Sequence, residues 1–220
     1  MSGFRNKSYN AAFETGFFEK VIEHLIKSSG KMKTDCVNDD NKLYNNEDAI
    51  TNRLVEIYLN KNDPAIRYIL QAPENFDVKT DQFKGRVDIK VILNNRFISG
   101  MIYYIIECKR INGKSDLNTK YVNEGVARFI GDKPKYSSKD KRNIMFGYVV
   151  EPLDIPENTK KIEGLQKSLL KRTAVGGFAL VESCNPEHYI YKCQYQSGGS
   201  SIELSHLFYN FSDVIRHEVN

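Results

Sequence analysis

The sequence of 220 residues lacks the features by which zinc-binding, membrane-spanning and secreted proteins are identified. Its four cysteines form no CxxC pair and no cysteine–histidine spacing that suits zinc, and its four histidines are scattered. No apolar run approaches the roughly 20 residues that cross a membrane. The N-terminal residues MSGFRNKSYN contain no apolar segment of the kind found in signal peptides. The expectation is therefore a cytoplasmic protein with reduced cysteines and no membrane segment.

A large excess of one charge is also lacking. The net charge of +4 permits an anionic partner without requiring one. Basic residues are concentrated in two segments, 133–142 and 160–172. Such segments are either phosphate-binding surfaces or ordinary solvated surfaces, and the composition leaves both interpretations open.

The chain has no evident repeat, low-complexity tract or linker, which predicts a single domain over residues 1–220. A chain of this length can bury a sizeable core without disulfide bonds. We expect the centre of the domain to span about 45–150, with a helical extension over 10–30. A C-terminal helix and strands would occupy 157–215.

Helical periodicity is clearest near the N-terminus. Apolar residues over 13–26 recur at helical spacing and predict an amphipathic helix that Gly30 ends. The polar residues 31–46 then predict a loop. A second helix is expected from Glu47, because either asparagine directly before it can cap the helix. Its buried stripe would consist of Ile50, Leu54, Ile57 and Tyr58.

Alternation of apolar and polar residues predicts a strand over 86–93. Asp88 lies on the polar face of this strand. The pair at 94–95, Asn-Asn, predicts a hairpin turn, after which 96–109 would return as a more fully buried strand. The apolar face of the first strand would consist of Val87, Ile89, Val91 and Leu93.

The second of these strands ends in an acid and a lysine. Glu107 and Lys109 interrupt an otherwise apolar stretch, where unpaired charge is rarely tolerated. They share one face of the strand, while Cys108 points away. The carboxylates of Asp88 and Glu107 can therefore meet across neighbouring strands. Two carboxylates so placed repel each other, and a divalent cation removes that conflict.

Magnesium prefers oxygen ligands and usually binds through one or two carboxylates together with phosphate. Asp88, Glu107 and the backbone carbonyl of Cys108 supply such ligands, and Mn²⁺ is the expected substitute for Mg²⁺. Lys109 lies on the same side, where it can orient water or offset charge on a reacting phosphate. The structural alternative is an ion pair in which Lys109 or Arg110 neutralises Asp88.

The rest of the chain supplies further elements. Residues 66–70, between two prolines, predict a short helix. Asn118 is expected to cap a helix over 119–130. Residues 144–150, IMFGYVV, predict a central strand, and 157–171 predict a helix. The buried face of the helix over 119–130 would consist of Tyr121, Val122, Gly125, Val126 and Phe129. Short strands are expected over 178–181, 189–195 and 202–207.

A strand acid, a gap and then Glu-x-Lys at the end of the next strand resembles the PD-(D/E)xK nuclease superfamily, the restriction-endonuclease-like fold. Asp88, Glu107 and Lys109 match its catalytic triad, although Val87 stands where a proline is usual. The resemblance implies an α/β fold with an αβββαβ core, in which helices flank a mixed central sheet. The predicted elements follow that order with at least one strand too few.

The resemblance also implies an acid from the first core helix. Glu47 is the candidate and Glu56 the alternative, although a first-turn Glu47 is explained equally well by the helix dipole. Residues 121–130, YVNEGVARFI, with the lysine–tyrosine segment and IMFGYVV that follow, are similar to a pattern in bacterial members of unassigned biological role.

The activity implied is that of a Mg²⁺-dependent endonuclease that hydrolyses phosphodiester bonds, with DNA favoured over RNA as the candidate substrate. A role in restriction or phage defence follows from the resemblance alone. Two alternatives are a non-catalytic nucleic-acid or protein-binding module of a larger complex and a hydrolase of smaller phosphate esters. A homodimer or a partner protein is compatible with each of them. The candidate substrate-binding residues are Arg128, Lys133, Lys135 and Tyr136.

Overall fold

The computed structural model describes residues 7–93, 103–132, 134–136, 141–170, 174–197 and 199–216. It does not describe the side chains of residues 7–14, 62, 174–175 and 197. The predicted turn at 94–95, the beginning of the following strand and Lys133 lie outside the described residues. Within the described residues, no helix combines the length and the apolar character needed to span a membrane.

The described residues form helices and strands that follow one another in groups. The helices are α1 (Lys7–Asn38), α2 (Glu47–Arg53), α3 (Asn60–Asn62), α4 (Ser115–Lys120) and α5 (Ile155–Leu169). A π-helical segment, Leu54–Leu59, joins α2 to α3, and a π-helical segment followed by a 3₁₀ turn, Tyr121–Gly125 and Val126–Arg128, continues α4. The strands are β1 (Ile66–Asp77), β2 (Gln82–Leu93), β3 (Tyr103–Ile111), β4 (Arg142–Val149), β5 (Ala174–Cys184), β6 (His188–Ser197) and β7 (Ser200–Asn210).

These strands form one seven-stranded mixed sheet in the order β1-β2-β3-β4-β7-β6-β5. β1, β2 and β3 are antiparallel neighbours, and β4 is parallel to both β3 and β7. β7, β6 and β5 are again antiparallel. The α/β class is confirmed, and the apolar run IMFGYVV supplies the central strand β4, as predicted.

Helices cover both faces of the sheet. One buried cluster joins the sheet to α1, α2 and the first π-helical segment, and a second joins it to α5 and the segment that continues α4. We call these the α1-side core and the α5-side core. Apolar residues of the central strands are divided between them: Phe146 belongs to the α1-side core and Met145 to the α5-side core. A sheet covered on both faces explains why β4 is apolar at nearly every position.

The second helix begins where the sequence predicts it. The Asn46 side chain accepts the Ala49 N–H at 2.9 Å, so Asn46 is the N-cap and Glu47 the first helical residue. Three of the four predicted stripe residues are buried, but Ile57 is 45% exposed. The prediction fails at Ile57 because the backbone widens to a π-helix over Leu54–Leu59, which changes the spacing of the buried positions.

The first helix is longer than predicted. It continues through Gly30 to Asn38, so the predicted end at Gly30 and the first half of the predicted loop are wrong. Met32 and Cys36, exposed by 0% and 1%, extend the buried stripe by two turns. A Cβ at Gly30 would lie 3.2 Å from the Tyr209 hydroxyl. The glycine therefore allows close packing against β7 rather than ending the helix.

The predicted short helix at 66–70 is wrong, because these residues begin β1. β1 supplies the strand that the sequence pattern lacked before β2. The two prolines indicated a short helix between them. Pro73 instead lies within the edge strand, where a residue without an N–H is tolerated.

Asn118 does not cap a helix. α4 begins at Ser115, with Lys114 at the N-cap position, and Asn118 lies inside it. The Asn118 side chain is buried and exchanges hydrogen bonds of 2.7 and 3.2 Å with Asn158 of α5. The predicted buried face of this helix is confirmed in full. The C-terminal helix and the three C-terminal strands are also confirmed, and each strand is longer than its apolar pattern.

Candidate active site

The strands β1 and β2 reverse the faces of their side chains at Gln71 and Asp88. Val87 belongs to the α5-side core, whereas Ile89 and Val91 belong to the α1-side core, although simple alternation would place all three on one face. Gln71 has a φ of 51°, in the left-handed region, and lies opposite Asp88 between regular pairs on either side. The predicted common face for Val87, Ile89 and Val91 is therefore wrong, because the strand rotates at this point.

Asp88 lies where β2 and β3 separate. The pairing of β2 with β3 extends only to Ile89 and Ile106. Beyond that pair, the Asp88 Oδ2 accepts the Cys108 N–H at 2.8 Å. The carboxylate thus replaces a backbone hydrogen bond and is held in the opening between the two strands.

Four oxygen atoms converge on the ammonium group of Lys109. The Cys108 carbonyl lies 2.7 Å from Lys109 Nζ, Glu47 Oε1 2.8 Å, Glu107 Oε1 3.1 Å and Asp88 Oδ2 3.9 Å. Glu107 and Lys109 share a face of β3, and the Cys108 side chain packs in the α1-side core behind them. The structure therefore brings together the residues that the sequence proposed as ligands, around the lysine itself.

Glu47 is the helix acid of this site. Its Oε1 accepts from Lys109 at 2.8 Å and its Oε2 accepts the Arg110 N–H at 3.1 Å. Glu56, the alternative candidate, is exposed and does not line the cleft. The Arg110 guanidinium donates to the backbone and side-chain oxygens of Asn45, at 2.6 and 2.8 Å. The ion pair that neutralises Asp88 therefore involves Lys109 and not Arg110.

Glu107 is fully buried and held on both oxygens. Arg128 Nη1 donates to its Oε1 at 2.6 Å, and the Tyr136 hydroxyl donates to its Oε2 at 2.8 Å. Arg128 also donates to the Tyr136 hydroxyl at 2.8 Å. Arg128 and Tyr136 were candidates for contacting substrate, and the structure places both against the buried acid. Tyr136 is only 2% exposed, so its contact is with Glu107 rather than with solvent.

Burial dominates the electrostatics of the acids. Burial and the charge of Asp88 raise the pKa of Glu107 to about 8, although Lys109, Arg128 and the Tyr136 hydroxyl lower it. Burial also raises the pKa of Asp88. The pKa of Lys109 is lowered by burial, but the surrounding carboxylates outweigh this and raise it overall. Three carboxyl groups thus face two cations, and the raised pKa of Glu107 means that the third group balances by keeping a proton.

The cluster opens into a cleft of about 430 Å³. The cleft wall carries three basic side chains, of which only Lys135 is predicted from the sequence: Lys84, Arg86 and Lys135. Lys135 was a candidate for binding substrate, and its side chain lies in the cleft. Arg86 precedes Asp88 by two residues, so its position in the sequence could have indicated that it lies near the site. Gln71 and Glu124 also line the cleft, and only the folded chain brings them there.

The two basic segments separate in space. Lys160 and Lys167 form ion pairs with Glu157 and Glu163 on α5, at 3.1 and 2.8 Å. Neither lines the cleft, which fits the interpretation of a solvated surface. In the other segment, Arg142 donates to Thr15 at 3.2 Å, away from the cleft.

The oxygen atoms of this cluster are of the type that binds a divalent cation, but the Lys109 side chain lies between them. Within the described part of the chain, no three Asp, Glu, His or Cys side chains are grouped to hold a metal ion as they stand. Lys109 Nζ occupies the position among the oxygens. The donors are nevertheless carboxylates and a carbonyl, the ligands that Mg²⁺ and Mn²⁺ prefer. They would suit such a cation once the ammonium group withdrew.

Comparisons of the chain with protein-family models, curated proteins and solved structures give no match. The chemistry of this cleft is therefore the basis for inferring a function.

Proposed function

We propose that this protein is a Mg²⁺-dependent nuclease that hydrolyses phosphodiester bonds in DNA. The observation that carries the proposal is the convergence of carboxylate and carbonyl oxygens on Lys109 within an open cleft. The order α2–β1–β2–β3–α4–β4 is also that of the αβββαβ core expected for the PD-(D/E)xK nuclease superfamily. We therefore assign Asp88, Glu107 and Lys109 to the catalytic triad of that superfamily.

The charge balance favours a cation site over a purely structural ion cluster. Buried charges are costly, and a structural cluster is expected to pair each one. Here three carboxyl groups, those of Glu47, Asp88 and Glu107, face only the cations of Lys109 and Arg128, and the charges balance while Glu107 keeps its proton. A divalent cation would take the place of that proton, and a phosphate would face the basic wall of the cleft.

The residues would divide the work as follows. Asp88, Glu107 and the Cys108 carbonyl would hold the cation, and Glu47 would support it. Such a cation, when bound, would supply Lewis-acid chemistry by polarising the phosphate and lowering the pKa of water. Lys109, displaced from the oxygens, would orient the attacking water and stabilise negative charge on the phosphate as the bond to the leaving oxygen breaks. Arg128 would act as a positioning residue through Glu107.

The basic wall of the cleft would bind the substrate backbone. Lys84, Arg86 and Lys135 border the opening, and lysine and arginine contacts to phosphate supply most of the sequence-independent affinity for nucleic acid. Their contribution would fall as the salt concentration rises.

The test is cleavage of plasmid and single-stranded DNA by the purified protein with and without Mg²⁺. Glu107→Gln keeps the shape of the buried side chain, and Lys109→Ala removes the ammonium group. Each is expected to lower the cleavage rate by about a hundredfold or more. Lys90→Ala is the matched control, because Lys90 forms a comparable ion pair with the buried Glu74, at 2.8 Å, outside the cleft. Full metal-dependent cleavage by Lys109→Ala would contradict the assignment.

A second candidate function follows from how completely Glu107 is engaged. Its oxygens are held by Lys109, Arg128 and Tyr136, an arrangement that also suits a nuclease-like fold that binds nucleic acid without cutting it. Calorimetry separates the two functions. The binding module would bind DNA in a salt-sensitive way and take up neither Mg²⁺ nor Mn²⁺.

A further inference from the structure

Beyond the reversal at Gln71 and Asp88, β1 and β2 continue as a two-stranded ribbon over residues 72–87, which we call the arm. Among the described residues, the pairing of β2 with β3 stops at Ile89, so the arm is paired within itself. The arm packs against Lys135 and Tyr136, which follow the 3₁₀ turn. Asn75 Nδ2 donates to the Lys135 carbonyl at 2.6 Å, and a Cβ on Gly85 would lie 3.0 Å from the Tyr136 ring. The arm therefore forms one wall of the cleft.

The outer part of the arm exposes a pair of aromatic rings. Phe76 and Phe83 lie directly opposite each other on the two strands, with ring centroids 5.2 Å apart. They are 51% and 53% exposed, and the neighbouring Val78 is 80% exposed. Large apolar groups that cluster on a surface are informative, whereas single exposed ones are not.

Basic side chains continue from these rings into the cleft. Lys84 follows Phe83 directly and forms an ion pair of 3.2 Å with Asp77 on the opposite strand, and both Lys84 and Arg86 line the cleft wall. Lys79, in the hairpin turn, is also exposed. Aromatic faces beside a basic track are the combination that proteins use to bind single strands, because every base has a face that can stack and every nucleotide has a phosphate.

The spacing connects the rings to the candidate active site. Phe83 precedes Asp88 by five positions in β2, a separation of at most about 17 Å at the rise of an extended strand. We infer that Phe76 and Phe83 stack against unpaired bases, so that the nuclease acts on single-stranded nucleic acid whose backbone enters the cleft past Lys84 and Arg86. This inference rests on the proposed function for the identity of the ligand as a nucleic acid. In a closed duplex the base faces are covered by their neighbours, which leaves the rings nothing to stack on.

A purely structural role for the two rings makes a different prediction. Cross-strand aromatic pairs stabilise a hairpin, so removal of the rings would lower the melting temperature without affecting binding. The replacement of both rings by leucine separates the two roles. Phe76→Leu with Phe83→Leu keeps apolar bulk across the strands and removes the aromatic faces. Phe76→Ala with Phe83→Ala removes both.

The experiment measures binding in EDTA, without cleavage, to a short single-stranded DNA, to an abasic strand of the same length and to a covalently closed duplex. Both double variants are expected to bind the normal strand about tenfold or more weakly, in line with the loss of base stacking, and the abasic strand and duplex as the wild type does. The matched control is Leu180→Ala with Val181→Ala on β5, where the side chains are 56% and 53% exposed.

Equal weakening on the normal and abasic strands would overturn the inference, as would unchanged binding by a folded leucine variant. Weakening on the closed duplex to the same extent would overturn it as well. The proposed function fails by a separate result, the absence of Mg²⁺-dependent cleavage by wild type, because binding in EDTA needs no metal. Base-dependent binding without Mg²⁺-dependent cleavage would support the inference that the arm stacks against bases. It would contradict the proposed nuclease activity.

Discussion

The ammonium group of Lys109 lies 2.8 Å from the carboxylate of Glu47, and this contact joins the end of β3 to the first turn of α2. The lysine thereby holds together the oxygens that a cation would need. We therefore expect the ammonium group and a divalent cation to compete for one position. This competition can be measured as a change in metal affinity, without a cleavage assay.

Removal of the ammonium group should strengthen metal binding. Lys109→Met keeps the apolar stem of the side chain, which is 7% exposed, and leaves the oxygens without their cation. We expect Mn²⁺ to bind the variant about tenfold or more tightly than the wild type, because the ammonium charge no longer competes with the cation for the carboxyl groups. Calorimetry of Mn²⁺ binding measures the difference, with Lys90→Met as the control. Weaker binding by Lys109→Met would show that the oxygens do not form a cation site.

The buried acid predicts a stability that falls towards alkaline pH when metal is absent. The folded state raises the pKa of Glu107 to about 8, so between about pH 4.5 and 8 it keeps a proton that the unfolded chain releases. The free energy of unfolding should therefore decrease as the pH rises through this range, by at most about 1.4 kcal/mol per pH unit.

Urea unfolding in EDTA at a series of pH values measures this dependence. Glu107→Gln, which cannot ionise, should flatten the profile over the same range. Added Mg²⁺ should also flatten it in the wild type, because a cation favours the charged carboxylate. An unchanged slope in Glu107→Gln would assign the pH dependence to another group.

A second buried group predicts the opposite slope in acid. His206 is fully buried, with Tyr121 on its Nδ1 at 2.8 Å and Tyr195 on its Nε2 at 3.0 Å. Burial lowers the pKa of His206 to about 3, so below about pH 6.5 the unfolded chain takes up a proton that the folded chain does not. Stability is therefore lost as the pH falls from about 6.5 towards 3, by about 2 kcal/mol at pH 5.

His206→Gln, which keeps one donor and one acceptor, should remove this loss. Unfolding curves at pH 7 and pH 5 for the variant and the wild type measure it. The Glu107 and His206 contributions overlap between about pH 4.5 and 6.5, and the two variants separate them. A wild-type loss of stability at pH 5 that persists in His206→Gln would exclude the histidine as its source.

The close approach of the α4 extension to β3 and β4 predicts contrasting effects of alanine at two glycines. A Cβ on Gly125 would lie 2.5 Å from Met145 Cε and 3.4 Å from Lys109 Cγ. Because Met145 is fully buried, Gly125→Ala should cost about 1–3 kcal/mol of stability and slow cleavage by displacing Lys109. Gly164, in an exposed part of α5, has nothing within 4 Å of such a Cβ.

Gly164→Ala should therefore stabilise the protein by about 0.4–1 kcal/mol through helix propensity and reduced chain entropy. Thermal unfolding and cleavage assays of the two variants together test the packing of the site. Equal effects on stability would mean that the segment carrying Gly125 does not approach Met145 as closely as the structure describes.

Local rules predicted the parts of this molecule that depend on neighbours in sequence. The cap at Asn46 and the start of α2 follow from the affinity of an asparagine side chain for free backbone N–H groups. The shared face of Glu107 and Lys109 follows from strand alternation. Both predictions hold because the chain is regular at these positions.

The predictions failed where tertiary packing overrides local pattern. Gly30 and Pro73 are ordinary end signals, but one lies against the Tyr209 hydroxyl and the other in an edge strand. The face reversal depends on the left-handed backbone at Gln71, a residue type that rarely adopts it, so the sequence gives no warning. The contact of Arg128 and Tyr136 with Glu107 joins residues 21 and 29 positions apart, which spacing alone does not reveal.

The reversal at Gln71 and Asp88 also bears on how this protein could diversify. On one side of it, the strands belong to the packed sheet that fixes Asp88; on the other, they belong to a ribbon that carries the exposed rings. The tip of the ribbon can therefore change in length or sequence without repacking the interior. Under the proposed function, exchange of residues 76–83 for other hairpins should alter which nucleic acids are bound while the proposed metal-dependent chemistry is retained. A protein with that activity would then serve as a frame for engineered nucleases with interchangeable recognition hairpins.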